Sequence, residues 1–195
     1  MLPLQPEKQE QRWEEVHLQK AERQTIAAIS TPQGVGGIGV IRISGPEAIA
    51  VADKIFLSAS GAPLCQKKGY TAAYGHVMDG EAPLDGAVAL VFRAPHSYTG
   101  EDVVELSCHG GVYITRRVLQ LLYQQGAVPA QPGEFTQRAF LNGKMDLTQA
   151  EAVMDLIGAK GRQAAKAAMA GKEGALQRRM HAIEEVLLDA AAHLA

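Results

Sequence analysis

The chain has 195 residues, 47% of them hydrophobic, with a formal net charge of -2 at pH 7 and an isoelectric point near 6.3. Such length and apolar content suffice for a buried core and exclude a disordered polypeptide, while the lack of a basic excess excludes a grip on nucleic acid through overall charge. Cys65 and Cys108 stand far apart without C-x-x-C spacing, which excludes a disulfide scaffold or zinc ribbon, and no apolar run reaches the roughly 20 residues of a membrane span. The expectation is a cytoplasmic protein in a reducing compartment, with no membrane partner.

Residues 1–24 are dense in Glu, Gln, Lys and Arg and read as a poorly ordered extension. TIAAIST has strand length and stops at Thr31-Pro32. Gly34-Val35-Gly36-Gly37-Ile38-Gly39 then fits G-x-G-x-x-G, the fingerprint of dinucleotide folds. In those folds the glycines open a helix whose N-terminus holds the phosphates. Here a β-branched run from Ile38 to Ser44 follows, so the glycines read as a tight link between strands. A helix is expected from Glu47 to Leu57, then strands at Tyr70 to Met78 and Ala87 to Phe92 joined by the turn-rich DGEAPLDG, and another strand from Val103 to Ser107. Residues 112–124 repeat apolar side chains at helical spacing and close at Gly126. The order β-β-α-β-β-β-α predicts a compact α+β domain over residues 25–130.

From residue 131 to 195 the composition turns helical, as the start of an incomplete helical domain. A short helix is expected at Glu134 to Leu141, a turn at Asn142-Gly143, and then one long helix with Thr148 and Glu151 spaced as a capping box. Its apolar stripe continues to Leu194 and ends without a stop signal, which suggests docking on a partner or a cut from a longer protein.

Two charges interrupt apolar strands: Arg42 in IGVIRIS and Glu105 in VVELSC. Burying either costs several kcal/mol unless it is paired or meets a ligand, so both either point to the solvent face of a half-buried sheet or serve a site. Lys144 reads as a solvated turn lysine and His109 as a hydrogen-bonding residue. Cys108 lacks a visible base. Residue patterns alone identify no catalytic group and no metal site.

Three blocks in order, TIAAISTPQGVGGIGVIRISGPEA, SYTGEDVVELSCHGG and PGEFTQRAFLNGKMDLTQAEAVMDLI, resemble the N-terminal domain and first helical segment of the MnmE (TrmE) family, GTPases that modify the wobble uridine of tRNA. The resemblance implies a mixed-sheet fold similar to the glycine-cleavage T-protein, a homodimer, and binding of a tetrahydrofolate derivative, 5-formyl- or methylene-tetrahydrofolate. Carried over by motif, the folate contacts are Arg42, Glu105 and Lys144. A carboxylate such as Glu105 accepts two parallel N–H groups from a pterin edge, and Arg42 or Lys144 balances the acidic tail. Glycines 34–39 would admit the flat ligand. The family further implies the flavin protein MnmG and, through the complex, tRNA as partners. GTP, potassium and magnesium belong to a domain with G-x-x-x-x-G-K-[ST], a motif that does not occur in these residues, so the chain itself is not expected to hydrolyse GTP. The rivals are a non-catalytic dimerisation or interaction module and a stand-alone folate-dependent one-carbon-transfer protein.

Overall fold

The computed structural model describes residues 24–32, 34–172 and 183. The proposed extension, save Gln24, and the apolar stripe beyond Lys172, save Ile183, lie outside the described residues. The chain divides into two compact units, up to Arg138 and from Ala139.

In the first unit, strands β1 (Ile26–Ile29), β2 (Ile38–Ser44), β3 (Phe56–Ser58), β4 (Thr71–Asp79), β5 (Ala82–Phe92), β6 (Val103–His109) and β7 (Val128–Pro129) form one sheet in the order β3-β4-β5-β6-β2-β1-β7. All neighbours are antiparallel except β1 and β7, which run parallel, so the sheet is mixed and the class is α+β as expected. Side chains alternate across each strand. Ile41 and Ile43, Val104 and Leu106, Ala89 and Val91 and Val77 point to one face and are fully buried. Helices α1 (Ala48–Asp53) and α2 (Val112–Gln124) seal that face with Ile49, Val51, Val118, Leu121 and Leu122. The opposite face carries Val40, Arg42, Val88, Leu90, Glu105 and Ser107, half-buried or exposed.

Helix α2 ends where Gly126 was expected to close it. Gly126 has φ +109°, and the N–H groups of Ala127 and Gly126 donate to the carbonyls of Leu122 and Tyr123 at 3.1 Å, a Schellman pair. The helix also lies very close to β2. A Cβ on Gly39 would collide with Cγ2 of Thr115, and one on Gly110 would sit 2.6 Å from the Gly36 carbonyl oxygen. These two glycines therefore let backbone and helix meet.

Two expectations fail here. The helix expected to reach Leu57 stops at Asp53, and Ile55 and Phe56 bury themselves by another route. Phe56–Ser58 adds a strand to the edge of β4, with the Met78 N–H donating to the Ile55 carbonyl at 2.8 Å. A short apolar run suits either period, and the open ladder of β4 decided it. The segment read as a long turn is mostly strand: β5 starts at Ala82, after a two-residue loop at Gly80 and Glu81, and a register shift at Val77/Met78 takes up the extra residue beside Pro83.

Helix α3 (Glu134–Leu141) crosses the boundary between the units at Arg138. In the second unit the expected turn follows, with Gly143 at φ +67°. The expected single long helix is two, α4 (Leu147–Gly158) and α5 (Arg162–Lys172), interrupted at Ala159 to Gly161. The capping box is built by Asp146 and Gln149 rather than Thr148 and Glu151, each side chain accepting from the other's backbone N–H at 2.8 Å. Among the described residues no helix is long and apolar enough to cross a membrane.

Gly39→Ala is expected to destabilise the first unit by about 1–3 kcal/mol in urea or thermal unfolding, because the new methyl overpacks against Thr115; adding Thr115→Ser, which removes the colliding methyl, recovers most of the loss. Cys108 lies buried on the helix-covered face, where burial first and then the charge of Asp85 push its thiol up to about 11, while Cys65 is exposed. An alkylating reagent at neutral pH is therefore expected to modify Cys65 and spare Cys108, and modification of both at equal rates would refute this burial.

Candidate functional site

Antiparallel pairing of β2 with β6 sets Arg42 directly opposite Glu105 on the open face of the sheet. Directly opposed residues share a face at about 5 Å, so the two side chains are bound to meet. The Arg42 Nε–H donates to Glu105 Oε1 at 2.8 Å, and Nη2 approaches the same oxygen at 2.8 Å. Glu105 Oε2 has no hydrogen-bond partner among the described residues. The pair is about three-quarters buried, at 25% and 22% side-chain exposure, so it is only partly screened by water.

Two aromatic rings flank the arginine. Its guanidinium carbon lies 5.2 Å from the Tyr98 ring centre and 5.5 Å from that of Phe135, both within cation–π range. The Tyr98 hydroxyl and Thr136 Oγ1 share a hydrogen bond of 2.9 Å, which ties the loop after β5 to the first turn of α3. The loop and helix that carry the rings also carry a polar cluster. Arg138, 3% exposed, donates from Nη1 to Glu101 at 3.0 Å and to the Gln24 carbonyl at 2.8 Å, and from Nη2 to Glu134 Oε1 at 2.8 Å. Ser44 Oγ donates to Glu101 Oε2 at 2.6 Å and contacts Thr99 Oγ1 at 2.7 Å.

The structure thus brings Arg42 and Glu105 together and buries most of each side chain, instead of splaying them separately into solvent. Lys144 belongs to the second unit, where it is an exposed residue after Gly143, its backbone N–H donating to the Ala139 carbonyl at 2.8 Å. The glycine loop lines a different cleft, of about 550 Å³, together with Gly110, Val112, Thr115 and Arg116; neither Arg42 nor Glu105 is among its walls. A strand follows the glycines, which removes the dinucleotide reading. His109 is a hydrogen-bonding residue, as expected: its backbone N–H donates to Asp85 Oδ2 at 2.8 Å and its Nδ1 meets Asp85 Oδ1 at 2.7 Å.

No pattern in the sequence singles out Tyr98, Phe135, Glu101 or Arg138. The only signal was the i,i+4 spacing of Glu134 and Arg138, which ordinarily marks a solvated helix pair. Chemically, the arrangement offers a carboxylate oriented by an arginine, with one oxygen still able to accept, beside two aromatic faces. That combination suits a flat ligand with an N–H-rich edge.

Comparison with known proteins matches this architecture to one family. The model for the N-terminus of the GTP-binding protein TrmE covers residues 25–144. A tRNA modification GTPase MnmE of Symbiobacterium thermophilum is 54% identical over 172 residues, covering 88% of this chain and 38% of the relative. Those of Bacteroides fragilis and Bacillus subtilis are 50% and 47% identical, over 85% and 87% of this chain and 36% and 38% of the relatives. The chain spans a little over one third of the length of these relatives, and it belongs to the TrmE N-terminal family.

Proposed function

We propose that this chain is the folate-binding and dimerising portion of a tRNA-modifying GTPase, with Glu105 as the anchor for the ligand's head. The observation that carries the reading is the Arg42–Glu105 pair on the open sheet face, where Glu105 Oε2 has no hydrogen-bond partner among the described residues. The guanidinium of Arg42 is already engaged by Glu105, through Nε and Nη2, and by the Tyr98 and Phe135 rings. Arg42 therefore orients and charge-balances the carboxylate, and the aminopyrimidinone edge of a pterin donates to Glu105, a charge-assisted contact. Lys144 supplies a point charge toward the acidic tail; its part rests on the resemblance to the family. In the complete system the folate provides the one-carbon unit for C5 of the wobble uridine of tRNA, with MnmG as partner, while GTP, potassium and magnesium serve a G domain.

The second element of the proposal, dimerisation, is supported by the uncovered apolar side chains of the same sheet face, where Ile38, Tyr74 and Val88 are 68%, 61% and 40% exposed. A monomeric protein rarely leaves such residues clustered without a partner. The rival interaction-module reading shares this surface and differs only in requiring no ligand.

Titration calorimetry of the full chain with 5-formyltetrahydrofolate is expected to show binding that Glu105→Ala weakens by about ten- to a hundredfold, the worth of a hydrogen bond to a charged group. Equal binding by the variant, or no heat from the unaltered chain, defeats the folate reading. Sedimentation equilibrium is expected to give about twice the 20.8 kDa chain mass and to fall to the monomer in Val88→Lys; a monomeric parent would sink the dimer.

A further inference from the structure

We infer that Arg138 is the positioning residue of this site: by bridging Glu101 and Glu134 from within the protein it holds Tyr98 and Phe135 against Arg42. The inference deepens the folate reading and, for its effect on affinity, rests on it.

An arginine 3% exposed with a carboxylate on each side is an expensive construction, and apolar residues of similar volume would commonly serve stability as well or better. What the fork offers that an apolar side chain lacks is direction. Its planar donors reach two carboxylates on different elements at once. Glu101 belongs to the loop that carries Tyr98, and that loop is cross-tied by Ser97 Oγ donating to the Glu101 carbonyl at 2.6 Å and the Glu101 N–H donating to Thr99 Oγ1 at 3.3 Å. Glu134 immediately precedes Phe135 and also accepts the Gln131 N–H at 2.7 Å, which fixes the first turn of α3. A third tie runs to β2, since Ser44, which donates to Glu101, lies two residues beyond Arg42 on the same strand. Loop, helix and strand are therefore referred to one guanidinium, and the element each one presents to the site is Tyr98, Phe135 or Arg42. A wall that moves away frees Arg42 to leave Glu105, and the carboxylate then loses the orientation in which Oε2 faces a ligand.

The test uses the full chain labelled with nitrogen-15. The Nε–Hε resonance of Arg42, identified by its loss in Arg42→Lys, is expected to be displaced by the ring currents of Tyr98 and Phe135. Arg138→Lys keeps the charge but loses the fork. It is expected to move that resonance toward the position of exposed arginines and to weaken 5-formyltetrahydrofolate binding about tenfold, with unchanged far-ultraviolet circular dichroism. In a Tyr98→Leu/Phe135→Leu background, Arg138→Lys is expected to cause no further loss, because it acts through the rings. An unmoved Arg42 resonance overturns the inference, as does a loss of affinity that adds in full to that of the ring variants. Should Arg138→Lys fail to fold, Glu134→Gln, which loosens the helix side alone, is held to the same outcomes. If the unaltered chain binds no folate, the ligand reading fails by itself and the Arg42 resonance decides the positioning role.

Discussion

The register of β2 against β6 puts an arginine and a glutamate face to face in the middle of a sheet, and much of the surrounding structure answers the problem that this creates. Two charges removed from most of their water lose solvation that their mutual attraction alone does not reliably return. Here the balance is restored by contacts that need the pair where it is. Both Nε and Nη2 reach one oxygen of Glu105, and Tyr98 and Phe135 present their faces to the delocalised cation. The arginine engages one oxygen of Glu105 through two nitrogens, and the other oxygen has no hydrogen-bond partner among the described residues.

The same sheet solves two problems on its two faces. One is closed by α1 and α2 over a continuous apolar core, at contact distances that glycine at positions 39 and 110 makes possible. The other carries at its alternate positions the ion pair, then Ser107, Val88 and Tyr74 along neighbouring strands. A period of two makes this division of labour automatic, since a residue moved by one position along the strand would cross from core to open face.

Much of this was legible in the residues. Alternation marked β2 and β6 and showed that Arg42 and Glu105 each break an apolar run. Helical spacing with Gly126 as terminator marked α2, and Asn142-Gly143 marked a turn. Local signals misled where two were equally good. Asp146 outcompeted Thr148 as a cap because its carboxylate accepts from the Gln149 N–H while Gln149 reaches back. Glycine and alanine around position 159 permitted a break that apolar periodicity alone did not reveal.

The amino-acid sequence by itself determined the class of fold, the periodicity of its elements and the residue types able to form a site, because those depend on neighbours within a few positions. Only the tertiary structure decided that Arg42 and Glu105, 63 positions apart, are partners, that Ile55 and Phe56 finish in a strand, and that Arg138 is interior and not on a wet helix face. Each of these turns on which distant backbone offers hydrogen bonds or charges, and on how much water is left between them. That information exists only once the chain has closed on itself.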